Sequence, residues 1–215
     1  MDHDPAKNST TKCPYDLWNE ETVFAGRWMT AKRVQFKLKN KESGGVWESA
    51  HRSSNPSKDA DGVDIIAILK KDGKKYFILI KQYRIPVRSW VVEFPAGLID
   101  HVGDNAESTG IRELKEETGY TVTKILGCST GKQFLDPGLG DDSIRFLFVE
   151  VDGDAEENLH PKQELVGDEH IQVILVECDK LLDFCDEVNK SEDTEVEAMV
   201  YTFAMGYCMQ KKFGL

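Results

Sequence analysis

The chain has 215 residues, of which 40% are hydrophobic and 30% charged, so it can bury the core of one large domain or of a domain with a small appended element. Its formal net charge of −11 argues against binding to duplex nucleic acid, because such proteins present a basic face. The same negative field repels an anionic substrate unless cations at the site offset it.

The sequence shows no sign of a disulfide framework, a zinc site or a membrane anchor. Its five cysteines are scattered and form no CxxC pair, a pattern typical of a reducing compartment. Residues 1–11 are polar and lack the apolar centre of a secretion signal, and no apolar run is as long as a membrane span. We therefore expect a cytoplasmic protein without a membrane partner, with the nucleus as the alternative location.

Two segments are predicted in front of the main domain. Residues 1–20 are polar and are predicted to form a flexible N-terminal arm. Residues 21–56 alternate between apolar and polar positions, which predicts a small β element. The polar stretch 53–61, which contains a proline, is typical of a linker, so the main domain is predicted to span residues 57–215.

The main domain mixes strand-like and helix-like patterns. Strands are predicted at residues 63–69, 76–82, 89–94, 123–130, 144–151 and 170–177, with a hairpin turn at residues 71–73. Helices are predicted at residues 105–118, 180–188 and 194–210, and the first is predicted to end at the glycine that follows it, Gly119. Core-facing positions are predicted at Ala106, Gly110, Ile111, Leu114 and Thr118 in the first helix and at Val196, Met199, Val200, Phe203 and Tyr207 in the last. This order indicates an α/β fold.

One face of the first predicted helix carries three carboxylates. Glu113 and Glu117 are four residues apart and Glu116 is three from Glu113, so like charges crowd together. Arg112 can reach Glu116 at i+4, but one cation cannot neutralise three acids. Divalent cations with oxygen ligands can, and Mg²⁺ is the usual ion of phosphate chemistry. An isolated cluster of this kind is more often a solvated helix face, so the surrounding residues decide the interpretation.

Those surroundings resemble the Nudix box, GX5EX7REUXEEXGU with U apolar. Residues 112–120 (RELKEETGY) match its second half, with Gly97 and the acid Asp104 upstream. Asp104 stands where the family has Glu, and the loop after Gly97 is one residue longer. On this box the chain is identified as a member of the Nudix hydrolase superfamily, which implies an α/β/α sandwich with a mixed sheet.

Segments outside the box resemble the ADP-ribose and ADP-sugar pyrophosphatase branch of eukaryotic cytosolic type. They are residues 80–86 (IKQYRIP), 93–97 (EFPAG) and 136–139 (DPGL), the last with Pro137 at the distance downstream that is typical of the branch. The resemblance implies metal-dependent hydrolysis of ADP-ribose and other ADP-sugars to AMP and a sugar phosphate. It also implies a homodimer whose N-terminal β elements exchange strands.

Site roles follow from the resemblance. Glu113, Glu117 and the carbonyl of Ala96 correspond to metal ligands, Glu116 to a supporting ligand through water, and Arg112 to an orienting partner. The cofactor implied is Mg²⁺, with Mn²⁺ as a substitute.

The general base of the branch lies on a loop between late strands, where this chain offers Glu164, Asp168 and Glu169. Glu169 is favoured because it follows a glycine-containing turn and precedes a strand. The alternative is that it is an ordinary loop carboxylate.

The resemblance places Trp28 and Trp47 on either side of the adenine ring, from two subunits. Burial in a core or an interface is the usual alternative for tryptophan. Arg52 and Arg84 correspond to phosphate or ribose contacts and Glu48 to an adenine or ribose contact. For the arginines the alternative is a solvated strand position.

Two other functions compete with ADP-sugar hydrolysis. One is hydrolysis of oxidised nucleoside diphosphates such as 8-oxo-dGDP, for which the same aromatic clamp would serve. The other is a nucleotide-sensing Nudix module without turnover. Such modules usually lose box glutamates, whereas Glu113, Glu116 and Glu117 are all present.

Overall fold

A computed structural model describes residues 12–53, 60–101 and 103–214. These residues divide into two compact units. The first comprises the residues up to 53 together with Phe134–Asp142, and the second comprises the rest. Within the described ranges, no helix combines the length and the apolar character needed to cross a membrane.

The first unit contains an antiparallel sheet in the order β1-β2-β3, formed by Tyr15–Ala25, Met29–Leu38 and Gly44–Arg52. It is the predicted N-terminal β element, but it begins earlier than expected. Residues 15–20 of the predicted flexible arm belong to β1, so the boundary at residue 20 is wrong; residues 1–11 of that arm lie outside the described residues. The inclusion of Phe134–Asp142 in this unit was not predicted either.

The remaining elements follow the predicted order. The strands are β4 (Gly62–Lys71), β5 (Lys74–Arg84), β6 (Ser89–Glu93), β7 (Ala96–Leu98), β8 (Lys124–Cys128), β9 (Gln133–Phe134), β10 (Ser143–Asp152), β11 (Ile171–Glu177) and β12 (Thr194–Val196). The helices are α1 (Ala106–Thr118), α2 (Leu181–Val188) and α3 (Ala198–Phe213). All six predicted strands of the main domain are present, with ends shifted by one or two residues.

The sheet of the second unit is mixed. Its central path runs β12-β6-β5-β4-β10-β8, while β11 pairs with β5 and β7 pairs with β4. The pairs β4–β10 and β6–β12 are parallel, and β4–β5, β5–β6, β5–β11 and β8–β10 are antiparallel. The predicted mixed sheet is therefore confirmed.

Each face of this sheet carries its own core, because successive strand residues point to opposite faces. Along β4, Ile65 joins a cluster with Leu114 of α1, whereas Ile66 joins a cluster with Leu181 of α2 and Val200 of α3. Helices thus cover both faces of the sheet, which confirms the predicted α/β/α sandwich.

The last predicted helix is corrected at its start. Thr194–Val196 is a strand that pairs in parallel with β6, and α3 begins only at Ala198, so Val196 is not a helix residue. Pairing with a strand a hundred residues earlier leaves no trace in local periodicity. Tyr207, which was predicted to face inward, is half exposed.

The predicted inner face of α1 is wrong at one position. Ile111 is partly exposed, and Thr109 lies fully buried beside Ala106 and Gly110 instead. These buried residues follow the i, i+3, i+4 spacing of a helix face, which places Ile111 at its edge.

Candidate active site

Helix α1 has well-defined ends, and these fix the positions of its acids. At its start, the Asn105 Oδ1 accepts hydrogen bonds from the N–H groups of Glu107 (2.9 Å) and Ser108 (3.0 Å). The Ser108 hydroxyl accepts in return from the Asn105 N–H at 3.0 Å, which completes a capping box. At its end Gly119 adopts a left-handed conformation with φ 77°, as the sequence predicted for a glycine that ends a helix.

Arg112 bridges two of the three carboxylates. Its Nη1 lies 2.9 Å from Glu116 Oε2, which confirms the predicted i+4 contact, and its Nη2 lies 2.9 Å from Glu113 Oε1. Arg112 therefore orients both acids and offsets part of their repulsion.

Glu117 lies on the buried side of the helix. Its Oε2 accepts a hydrogen bond from the N–H of Ala96 at 3.0 Å, so β7 and α1 are joined at this point. Ala96 thus stands beside the acids as predicted, and its N–H contacts Glu117 directly.

Burial and neighbouring acids raise the pKa of two of these carboxylates, Glu117 and Glu113. Burial raises the pKa of Glu117 to about 8; the Ala96 N–H opposes this change, while Glu113 and Glu169 add to it. Burial is also the main cause that raises the pKa of Glu113, against the opposing charge of Arg112. The positive charge of Arg112 therefore offsets the burial of Glu113 only in part.

Gly97 passes very close to Glu113. A Cβ built at position 97 would collide with the Glu113 side chain. A glycine at position 97 is therefore required for the close approach of β7 to the acidic face.

An open cavity of about 490 Å³ in the second unit gathers most of the predicted catalytic residues. Its lining includes Arg84, Ala96, Arg112, Glu113, Glu116, Glu117 and Glu169. Sequence reasoning missed Gln82, Asp100 and His101, which also line it. Gln82 could have been found, because it precedes Arg84 by two positions on β5 and so shares its face.

Arg84 is held by a buried acid. Its Nε and Nη2 donate to the two carboxylate oxygens of Glu93 at 2.8 and 2.6 Å, and Gln82 Nε2 donates to the same carboxylate at 3.0 Å. The hydrogen bond to Glu93 raises the pKa of Arg84 above its already high value. Arg84 is thus a half-exposed cation at the cavity wall, held in place by its contacts with Glu93.

Glu169 is the one of the three base candidates that lines the cavity within the described part of the chain. Its Oε2 accepts from the Val166 N–H at 2.9 Å, so the loop bends back on itself. Glu164 donates its backbone N–H to the carbonyl of Glu116 at 2.8 Å. Glu164 and Asp168 are not part of the cavity wall.

The predicted adenine-binding residues lie in the first unit. Trp28 is 71% exposed, with the Arg27 guanidinium 4.6 Å from its ring centroid, and Trp47 is 49% exposed against the edge of Phe36. Neither tryptophan is a buried core residue. Among the described rings no contact joins Trp28 to Trp47.

Glu48 and Arg52 both have partners within the first unit. Glu48 Oε1 accepts from Arg33 Nη2 at 2.7 Å. Arg52 donates from Nε and Nη2 to the two oxygens of Asp142 at 2.7 and 2.8 Å. Each of the two side chains is therefore held by an ion pair with another residue of the same unit.

Across the described residues, no group of three or more His, Cys, Asp and Glu side chains forms a ready-made metal centre. The donor set nonetheless fits a divalent cation, because carboxylates are hard oxygen ligands. A pKa of about 8 at Glu117 marks a buried carboxylate that a nearby cation would stabilise in its ionised form. Glu113, Glu116, Glu117 and Ala96 are the residues in a position to hold one.

Comparison with known proteins gives a consistent result. Residues 58–195 match the NUDIX domain family. The chain is 46% identical over 195 residues to nudix hydrolase 2 of Caenorhabditis elegans, a match that covers 90% of this chain and 86% of that one. It is 38% identical to the ADP-ribose pyrophosphatase of Saccharomyces cerevisiae, covering 87% and 80%, and 30% identical to the ADP-sugar pyrophosphatase of Mus musculus, covering 93% and 91%.

A solved structure described as an ADP compounds hydrolase superposes with a TM-score of 0.64. The match covers 96% of this chain and 100% of that one at 19% sequence identity. At this identity it supports the fold alone.

Proposed function

This chain belongs to the NUDIX domain family, and on that premise we propose that it is an Mg²⁺-dependent hydrolase that cleaves ADP-ribose and other ADP-sugars to AMP and a sugar phosphate. The observation that carries the proposal is the cavity in which Glu113, Glu117 and Glu169 meet beside the fixed cation Arg84. The names of the yeast and mouse relatives support the choice of substrate.

Glu113, Glu116, Glu117 and the Ala96 carbonyl are the proposed ligands of Mg²⁺, for which Mn²⁺ can substitute. When bound, such cations neutralise the phosphates and lower the pKa of a water. Arg112 contributes by keeping Glu113 and Glu116 in place, as its two contacts of 2.9 Å indicate.

Glu169 is proposed as the general base. It would accept a proton from the attacking water as that water's oxygen bonds to phosphorus and the bridging P–O bond breaks. Arg84 would hold a phosphate oxygen with the N–H groups that Glu93 does not use, because a guanidinium carries five donors. In support, both side chains line the same cavity as the acidic helix.

Trp28 and Trp47 are proposed to stack on the adenine ring, and Glu48 and Arg52 to contact the nucleoside or its phosphates. The exposure of both tryptophans supports this role, because large aromatic side chains left in water are typical of binding surfaces.

We further propose a cytoplasmic homodimer, with the nucleus as a second location. Every residue of β1 is exposed, including Leu17, Val23 and Phe24, which favours coverage of this strand by a second copy. In support of a reducing compartment, no disulfide joins the five cysteines, all of which lie in the described residues.

The substrate is tested by comparing kcat/KM for ADP-ribose and 8-oxo-dGDP, because specificity is the ratio of these values. We expect Mg²⁺-dependent release of AMP from ADP-ribose and a higher kcat/KM for it. A higher value for 8-oxo-dGDP would assign the enzyme to oxidised nucleotides. ADP-ribose binding without turnover in Mg²⁺ would indicate a sensing module.

A further inference from the structure

The segment Phe134–Asp142 lies along the edge of β3 that does not pair with β2. The N–H of Ala50 donates to the carbonyl of Leu139 at 2.9 Å, and Ala50 forms a parallel bridge with Gly140. A Cβ at position 140 would collide with the Ala50 carbonyl oxygen. The glycine therefore allows the segment to lie directly against the strand.

The segment has a defined shape of its own. The carbonyl of Asp136 accepts from the N–H groups of Leu139 (3.0 Å) and Gly140 (2.9 Å), and its Oδ1 accepts from the Gly138 N–H at 3.2 Å. The Leu135 N–H donates to the Asp142 carbonyl at 3.0 Å, which closes the base of the turn. It is a compact loop rather than an open connection.

Two consecutive acids of the segment contact two consecutive residues of the strand. Asp142 accepts two hydrogen bonds from Arg52, from Nε at 2.7 Å and from Nη2 at 2.8 Å. Asp141 Oδ2 lies 2.9 Å from His51 Nδ1, and His51 Nε2 lies 2.8 Å from the Ser49 hydroxyl. The two pairs fasten the segment to the end of β3.

The bidentate contact with Asp142 fixes the orientation in which the Arg52 guanidinium can bind a ligand. Two of its five N–H donors are taken by Asp142, and the other three keep a fixed direction relative to the strand. A guanidinium already held in place loses less side-chain entropy when it binds phosphate or ribose oxygens.

We propose that Asp142 is a positioning residue for Arg52, and that the Asp141–His51 pair keeps the segment on β3 so that Asp142 remains in reach. Asp142 therefore contributes to substrate binding. Arg52, oriented in this way, contacts the bound nucleotide sugar both before the chemical step and during it. This inference rests on the proposed function, because it assumes that Arg52 contacts the substrate.

The kinetic test is a double-mutant cycle of Asp142→Asn and Arg52→Ala with ADP-ribose and Mg²⁺. We expect Asp142→Asn to raise KM about fivefold, the scale of one surface ion pair, with kcat within about twofold of wild type. In the Arg52→Ala background the same change should have no further effect on KM. Glu42→Gln, which alters an exposed acid of the same unit outside β1, is the control and should leave KM unchanged.

A second measurement is independent of turnover. Hydrogen exchange of the free protein should be faster at the amide of Ala50, which donates to Leu139 of the segment, in Asp142→Asn and in Asp141→Asn than in wild type. Unchanged exchange, an unchanged or lower KM, or an equal KM effect with and without Arg52 would each overturn the inference. An inactive wild type would contradict the proposed function instead, and the exchange data would still decide whether the acids hold the segment.

Discussion

The absence of a side chain at Gly97 leaves room for the carboxylate of Glu113. Its backbone approaches Glu113 so closely that a methyl group at this position must displace the carboxylate. We predict that Gly97→Ala leaves the protein folded but lowers kcat about 10- to 100-fold, the range expected when a catalytic group moves by about an ångström.

The matched control for this change is Gly127→Ala, because an added Cβ there meets no atom within 4 Å. Steady-state kinetics and circular dichroism of both variants would test the prediction. Normal kcat in Gly97→Ala would mean that the position of Glu113 is not critical.

Glu197 provides a prediction about pH. Burial raises its pKa to about 8, the nearby acids Asp64 and Glu93 add to this rise, and Arg84 opposes it. Between the ordinary glutamate pKa and about 8, the folded protein holds a proton that the unfolded chain has released. The contribution of Glu197 to stability is therefore full at low pH and is lost as pH rises through this window.

We predict that Glu197→Gln gains stability over wild type as pH rises, by up to about 4 kcal/mol between about pH 5 and pH 8, since each pKa unit is worth about 1.4 kcal/mol. Urea unfolding across this range measures the difference. Glu195→Gln is the control, because Glu195 is exposed and its variant should follow wild type. A constant difference between Glu197→Gln and wild type would refute the predicted titration.

At the scale of elements, the start of α1 sets the position of the acidic face. Asn105 caps the helix with two hydrogen bonds. We predict that Asn105→Ala lowers the free energy of unfolding by about 1 kcal/mol, whereas Asn105→Asp, which can still cap, remains within a few tenths of wild type. Thermal unfolding of both variants measures this. Equal losses in the two variants would show that the cap contributes little.

Elements specified by neighbouring residues were predicted well from sequence. Helix α1 was predicted from apolar spacing and its terminal glycine, and the hairpin between β4 and β5 from Asp72 and Gly73, which both adopt positive φ. The strand β12 and the placement of Phe134–Asp142 were not predicted. Both depend on pairing with residues that are distant in the chain, such as Arg52 with Asp142, and no local pattern records such pairing.

In the candidate site, too, residues on one continuous segment could be predicted from sequence, and contacts between distant segments could not. The Nudix box and the residue before it lie on β7, α1 and the loop between them, so Ala96, Arg112 and the three glutamates could be predicted together. The Glu93 contact that fixes Arg84 and the Asp142 contact that fixes Arg52 could not, because carboxylate partners on other segments are set by the tertiary fold.

At the scale of the whole molecule, the exposed β1 strand predicts a dimer. Leu17 is 59% exposed on a strand with no buried residue. We predict that wild type sediments as a dimer and that Leu17→Glu shifts it toward monomer, because a buried unpaired charge is costly. Thr202→Glu, which adds the same charge at an exposed position of α3, should remain dimeric. A monomeric wild type in analytical ultracentrifugation would contradict the prediction.

The net charge of −11 gives metal ions a role beyond the reacting atoms. A protein of this charge repels a nucleotide sugar, so cations on the acidic helix would favour both binding and chemistry. We therefore expect the acids of α1 to act on the pyrophosphate together with a divalent cation.

The most direct test is AMP release from ADP-ribose, with and without Mg²⁺, by wild type, Glu113→Gln, Glu117→Gln and the control Glu107→Gln, which alters an exposed acid in the first turn of the same helix. We expect Mg²⁺-dependent release by wild type and Glu107→Gln, and a loss of about a thousandfold or more in the other two. Release that is independent of Mg²⁺, or that survives both substitutions, would contradict this expectation.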